Sequence, residues 1–315
     1  MYRKVIHVPA ERSPNVRYGL REEELGRVPS GRELIPGILS YQKYKERRKH
    51  WNEVMQTIGL DGDFYMGQEA KMYPPDWLDH SLQMAVEMAY PRPGLAMGVD
   101  PAEGGDNSAW SVIDKEGLIK QIAYKTPQTT QIIDQTLDLI HEYKLDPKRV
   151  CFDRGGGGKQ LADQLRHMGW KVNTVSFGEA VQAPVRRRQT RMRDRQEDRE
   201  QRTTYANRRS QMYGILRDLM LPNGVHGGFA IPAEYEELIR QLSKIPLTYD
   251  AEQRIALLPK APKTIRGLLD PLEVEKSKTK SLIGLLGHSP DEADSLVLAV
   301  WALFGQKEKI KLRVR

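Results

Sequence analysis

Three aspartates stand where separate elements of this chain end or begin. Asp100 closes the apolar run Leu95-Ala-Met-Gly-Val99, Asp153 closes Val150-Cys-Phe152, and Asp294 lies in His288-Ser-Pro-Asp-Glu-Ala-Asp-Ser-Leu296, which reads as the first turns of a helix. A carboxylate ending a buried strand is costly to desolvate unless it is paired or metal-bound. Three of them converging from separate elements describe a site for hard cations with oxygen ligands. The chemistry of such a site is metal-assisted hydrolysis of a phosphodiester. Asp291 shares a helical face with Asp294 three residues on, so either can be the third ligand; the capping position suits Asp291 and the deeper one Asp294. Asp106 is a fourth candidate, with a turn role favoured. Each aspartate alone also has a plain structural reading, as a turn former or as a charge at a helix N-terminus.

The elements that position them follow from the pattern. Residues 95–100 read as a strand, 101–107 as a Gly-rich turn, 109–113 and 118–125 as two more strands, which together make an antiparallel meander. Thr126-Pro127 opens a helix as N-cap and first helical position, with Ile132, Ile133, Thr136, Leu137, Ile140 and Tyr143 at helical spacing. A fourth strand over 149–153, a loop and helix over 155–168 and a fifth strand over 171–177 complete the set. Three antiparallel strands followed by helix, strand, helix, strand is the element order of the ribonuclease H-like fold. The expected class is thus an α/β mixed sheet flanked by helices. In that architecture strand four lies beside strand one, reached by right-handed crossovers, and Asp100 and Asp153 come within reach of one cation.

Further along, a helix is expected over 203–220, a turn over 222–228, a helix over 234–243 and a strand pair over 245–262. The last helix is expected from Asp291 to Phe304, with Ser289 as N-cap and Pro290 at the first position. Residues 1–93 carry no βαβ pattern and read as an accessory lobe, with a basic helix from about Ser40 to Ile58 and another after Pro74-Pro75. Residues 94–306 are the expected nuclease domain and 307–315 a basic tail.

Other motifs yield to simpler readings. Arg154-Gly-Gly-Gly-Gly-Lys159 fails the phosphate-loop spacing, since Asp153 stands where the first glycine belongs and Gln160 replaces Ser/Thr. It reads as a tight strand-to-helix turn beside the site. His226-Gly-Gly228 lacks a Gly-x-Ser-x-Gly partner, and the seven histidines show no zinc-type pairing. Cys151 is the single cysteine, which excludes an intrachain disulfide. No run approaches the roughly 20 apolar residues of a membrane span, and the N-terminus lacks a signal-peptide core, so the chain reads as soluble and intracellular, with no membrane partner. A net charge of +7 over 315 residues favours a polyanionic partner. Arg186, Arg187, Arg188 and Arg191 head an arginine-rich segment running to Arg202. It is either a solvated run or a loop that grips duplex DNA through phosphates, salt-dependently and with little sequence choice. Arg208 and Arg209, and Lys260 and Lys263, are further candidates for holding the DNA backbone.

These residues resemble the nuclease domain of the large terminase subunits of tailed bacteriophages. Gly98-Val-Asp-Pro-Ala-Glu-Gly-Gly-Asp106 is similar to the first-aspartate strand and turn, and Val150-Cys-Phe-Asp-Arg-Gly-Gly-Gly-Gly158 to the second. Tyr205-Ala-Asn-Arg-Arg209 is similar to the family's Asn-Arg helix start, and Gly287-His-Ser-Pro-Asp-Glu-Ala-Asp294 to its closing signature. Ser13-Pro-Asn-Val16, Ile35-Pro-Gly37 and Gly62-Asp-Phe64 resemble the end of the family's ATPase domain and its linker. The resemblance implies an endonuclease with Asp100, Asp153 and Asp294, and Asp291 in reserve, holding two Mg²⁺ or Mn²⁺ ions. It implies cutting of concatemeric DNA during genome packaging in the cytoplasm of an infected bacterium. Partners would be duplex DNA, a small terminase subunit, a portal and a separate ATPase; the Walker motifs of the family are missing here, so the chain would be a shortened form, the product of a split gene or a module relying on that separate ATPase. A Holliday-junction resolvase or transposase-like nuclease on the same fold, and a non-catalytic DNA-binding packaging protein, are the rival readings.

Overall fold

The computed structural model describes residues 8–51, 56–62, 71–88, 91–102, 104–181, 204–261 and 281–305. The arginine-rich segment with Arg186, Arg187, Arg188 and Arg191, Lys263 and the 307–315 tail lie outside the described residues. The chain divides into two compact units, 1–70 and 71–315. The Pro91–Gly94 stretch thus lies inside the second.

The first unit pairs α1 (Pro14–Glu24) with α2 (Tyr41–His50). Ser40 caps α2 by accepting from the Lys43 amide, and Val16, Tyr44 and Leu60 form its small core. Asn15 clamps the connecting chain, donating to Ile35 O and accepting from Ile35 N, each at 2.9 Å. Arg48, from the basic helix, pairs with Glu11 and Asp61 and donates to the Tyr44 hydroxyl, so its charge is used internally. The helix ends at His50, short of the expected Ile58, where Trp51 turns to extended backbone.

The second unit begins with α3 (Pro75–Glu87) and then builds a five-stranded sheet: β1 (Ala96–Asp100), β2 (Ser108–Ile113), β3 (Leu118–Tyr124), β4 (Val150–Asp153) and β5 (Asn173–Val175), with α4 (Thr129–Glu142) and α5 (Gly158–His167) as crossovers. The order is β3-β2-β1-β4-β5. The first three strands are antiparallel neighbours, and β4 runs parallel to both β1 and β5. This is the ribonuclease H-like arrangement read from the element order. Helices α6 (Arg208–Met220), α7 (Glu236–Lys244), α8 (Leu282–Leu286) and α9 (Asp291–Val300) follow. Among the described residues no helix is long and apolar enough to cross a membrane.

Strand alternation sorts the side chains into two cores. Met97, Val99, Val150 and Phe152 join α4 and α5 on one face. Ala96 and Cys151 join α6, α7 and α9 on the other. On the first face, the Trp110 indole donates to Thr136 Oγ1 at 3.0 Å and fastens β2 to α4. On the second, α9 lies directly on β1. A Cβ at Gly98 would stand 2.0 Å from Ser295 O and 2.3 Å from Ala299 N, both backbone atoms of that helix. Ser111 and Ser295 share a hydroxyl hydrogen bond of 2.7 Å, and Gln121 donates to Ser295 Oγ at 3.0 Å.

Three expectations change. Helix α4 starts at Thr129 with a Gln128–Gln131 capping box. Thr126 instead shares a 2.6 Å hydroxyl hydrogen bond with Ser108, so its oxygen is committed to the sheet. Helix α9 takes Pro290, not Ser289, as its flanking residue, and Pro290 O accepts the first intrahelical bond, from Asp294 N at 2.8 Å. The strand pair at 245–262 reduces, over its described residues, to isolated bridges such as Tyr249 with Ile255. Pro246 and Pro259 have no amide to donate, and Asp250 folds the chain back by accepting from the Glu252 and Arg254 amides.

Because α9 backbone fills the space above position 98, Gly98→Ala should cost about 1–3 kcal/mol. Gly105→Ala, where nothing lies within 4 Å, should leave stability near wild type. Denaturant unfolding of both variants measures this; equal midpoints would mean that the sheet and α9 do not pack this closely.

Candidate active site

The register of the parallel pair decides where the strand-end aspartates lie. Val99 faces Phe152 across the ladder, so the next residue of each strand, Asp100 and Asp153, stand side by side. Both follow the alternation of Gly98 and Cys151 and therefore lie on the face that α9 covers. The first turn of α9 adds Asp291 and Asp294. Lys260 reaches this group from the loop before α8 and is fixed by its own carbonyl, which accepts from Ile283 N at 3.0 Å. Its ammonium lies 3.7 Å from Asp100 Oδ2, 3.8 Å from Asp291 Oδ1 and 3.4 Å from Asp294 Oδ2.

The glycine run forms the turn from β4 into α5. Gly157 precedes the helix at φ +75°, and a Cβ at Gly158 would stand 1.9 Å from Asp153 O and 2.8 Å from Pro101 Cγ. Only glycine lets this turn close against the residue that follows Asp100. Across the site, the Asn107 amide donates to Asp291 Oδ2 at 3.1 Å, tying the β1–β2 turn to the start of α9. Asp106, in that turn, is exposed at the rim.

Asp294 differs from its neighbours. It is fully buried, and its Oδ1 accepts from Arg209 Nη2 at 2.8 Å, Arg209 Nε at 3.3 Å and the Tyr213 hydroxyl at 2.7 Å. Burial works against its charge, but Arg209, Lys260 and Tyr213 outweigh it and hold the carboxyl below the usual range. The others shift upward. Burial raises Asp100 well above the usual carboxylate value, opposed by Lys260 and reinforced by Asp294, Asp153 and Asp291. Burial also raises Asp153, against hydrogen bonds from the Gly155 and Arg154 amides, and brings Asp291 to about 6. Lys260 is pushed down by burial, yet Asp294, Asp100 and Asp291 hold it above its ordinary value.

Four carboxylates thus meet two fixed cations, Lys260 and Arg209, which leaves an excess of negative charge in a buried place. The donors are all oxygens, the set that Mg²⁺ and Mn²⁺ prefer. Among the described residues no three acidic, His or Cys side chains close on a single point; the carboxylates gather on the Lys260 ammonium instead. The donor chemistry fits a divalent cation, which Asp100, Asp153, Asp291 and Asp294 would hold.

The residues expected to meet DNA are placed differently from one another. Lys260 faces the carboxylates. Arg209 is buried and spends its guanidinium on Asp294, so it is not an exposed DNA contact. Arg208 is also buried. It stacks 4.6 Å from the Trp301 ring and donates to Ala180 O at 2.8 Å. Both were read as surface charges because they head a helix after a charged run. Tyr213 escaped the sequence reading; its spacing of four from Arg209 was the available signal, since that puts both on one helical face.

Neither a protein-family model nor a curated protein matches the chain. Solved structures do. The nuclease domain of the large terminase subunit gp2 of bacterial virus Sf6 aligns at a TM-score of 0.50 and 18% identity, over 73% of this chain and 97% of that one. This chain has the fold of a terminase nuclease domain. A lysine-to-alanine variant of the Sf6 domain with manganese and beta-thujaplicinol aligns at 0.51 and 16% identity, over 73% and 97%. The same kind of variant with calcium aligns at 0.51 and 17%, over 73% and 98%.

The opposed shifts predict opposed effects on stability in EDTA. Asp291 has a raised folded-state value, so the stability of its neutral form is fully present below about pH 4 and is lost as pH rises through about 6. Asp291→Asn should therefore gain on wild type in thermal unfolding as pH is raised from 4 to 7. Asp294→Asn removes the partner of a buried cation and should lose about 3–5 kcal/mol at pH 7. Equal stability of the two variants at pH 7 would overturn the ion-pair assignment.

Proposed function

We propose that this protein is a divalent-metal-dependent DNA endonuclease that cuts concatemeric viral DNA during genome packaging. The observation that carries the proposal is the gathering of three buried carboxylates, Asp100 from β1 and Asp291 and Asp294 from α9, around the Lys260 ammonium, with the half-buried Asp153 of β4 beside Asp100, at the end of a ribonuclease H-like sheet. That is a concentration of charge a stable core would avoid. The likeness to terminase nuclease domains supports the choice of phosphodiester chemistry by analogy of fold.

In this reading Asp100, Asp153 and Asp294 hold the metal, with Asp291 as the further carboxylate of the set and two Mg²⁺ or Mn²⁺ ions as the complement. When bound, the metal supplies an activated water and a charge at the leaving oxygen. The chain's own residues do the rest. Asp100 and Asp153 present oxygens from neighbouring rigid strands. Asp291 is oriented by the Asn107 amide. Lys260 offsets the repulsion among the carboxylates and would meet a backbone phosphate once a metal takes over that role. Duplex DNA would be held through phosphates by Lys260 and by the basic segment with Arg186, Arg187, Arg188, Arg191 and Lys263. Residues 94–306 would be the nuclease domain and 1–93 an accessory or linker region, and the protein would work with the packaging machinery, a small terminase subunit and a portal.

Supercoiled plasmid incubated with the protein and Mn²⁺ should be nicked and linearised. EDTA or Asp100→Ala should reduce cleavage to background, and DNA binding should weaken steeply with salt. DNA binding that ignores divalent metal, with an intact plasmid, would favour the non-catalytic packaging role. Preference for branched over linear duplex would favour a junction resolvase.

A further inference from the structure

The two oxygens of the Asp294 carboxylate are loaded unevenly. An arginine usually meets a carboxylate fork to fork, one nitrogen to each oxygen. Here Arg209 Nε donates to Oδ1 and Nη2 is shared between Oδ1 and Oδ2, and the Tyr213 hydroxyl adds a third donor to Oδ1. Three donors fill the capacity of Oδ1. Oδ2 takes only the shared Nη2 at 3.0 Å and faces Lys260 at 3.4 Å.

The donors are themselves held. Both belong to α6, four residues apart and so on one face. Asn207 caps that helix by accepting from Ser210 N at 2.9 Å, and Arg209 N donates to Phe177 O at 3.1 Å. The guanidinium lies between the rings of Phe177 and Tyr213, with centroids at 5.3 and 5.6 Å. From the far side the Tyr73 hydroxyl donates to Tyr213 O at 3.0 Å. An aspartate carboxylate otherwise turns freely about its last torsion; this one is pinned, with one oxygen closed and the other aimed into the site.

We propose that Arg209 and Tyr213 are positioning residues for the cation site: by closing Oδ1 they present Asp294 to a divalent cation through Oδ2 alone. This rests on the metal-dependent reading above. It adds that one ligand of the site is set by a buried clamp on α6, a helix that contributes no ligand itself.

The test is Mn²⁺ binding by calorimetry to the full chain. Tyr213→Phe removes one donor and keeps the ring, and Arg209→Lys keeps the charge and loses the fork. Leu216→Ala, a buried core change on the same helix, serves as a destabilised control. Outer contacts of this kind are worth about 10–100-fold in metal affinity. Tyr213→Phe should weaken Mn²⁺ about tenfold, with a melting temperature in EDTA above that of Leu216→Ala, and the control should bind as wild type does. Wild-type affinity in Tyr213→Phe, or an equal loss in Leu216→Ala, would overturn the positioning role while leaving the metal-dependent reading intact. Wild-type protein that binds no Mn²⁺ would overturn both.

Discussion

The buried ion pair of Asp294 and Arg209 is the constraint on which the arrangement rests. Four carboxylates at one end of a sheet repel one another and resist desolvation, and a fold that gathers them needs at least one anchored point. Asp294 supplies it. It is fully buried, yet it is held in its charged form because two donors from α6 and the ammonium of Lys260 surround it. Removing either partner of such a pair leaves an uncompensated buried charge, so the pair commits α6 and α9 to one relative placement.

That placement in turn requires a close fit between α9 and the sheet. Gly98 has no side chain, and the backbone of α9 occupies the space one would fill. The serine and glutamine contacts from β2 and β3 then set the helix along its length. At its start, Gln241 of α7 accepts from the Ala293 amide at 2.9 Å, a bond that a capping side chain would otherwise make. The first turn of α9, which carries Asp291 and Asp294, is therefore fixed from three sides before any ligand is considered. A site built this way sits on rigid elements, the condition for holding ligands to within a fraction of an ångström.

Much of this was legible in the sequence. Period-two and helical patterns located all five strands and most helices, and the element order led to the correct sheet. Asp100 and Asp153 stood out because charge at the end of an apolar run contradicts packing, and Asp291 and Asp294 because they share one face at the start of a helix. What could not be read was the pairing of side chains across elements. Arg209 looks like a surface cation in a charged stretch, and only the tertiary approach of α6 to α9 turns it inward. Tyr213 looks like one more core aromatic. Lys260 lies in a segment whose apparent alternation suggested paired strands, but whose prolines and the Asp250 turn leave isolated bridges. The cap of α4 moved for a similar reason: Thr126 found a partner in Ser108 that local sequence does not reveal.

The carboxylates also divide by the direction in which the fold shifts them, and the division separates two kinds of work. Asp100, Asp153 and Asp291 are shifted up, so the metal-free fold holds them at a cost that opposite charge would relieve. Asp294 is shifted down, so its cost is already met by protein. In the proposed reading a cation would relieve the first three, whose charge the protein opposes, while the fourth is already compensated by Arg209, Lys260 and Tyr213. The strand ends and Asp291 would thus supply the affinity, while Asp294 would fix where a cation rests. A fold that needed only stability would neutralise all four; this one leaves three opposed by burial around one that is anchored, the pattern that perturbed groups at functional sites follow.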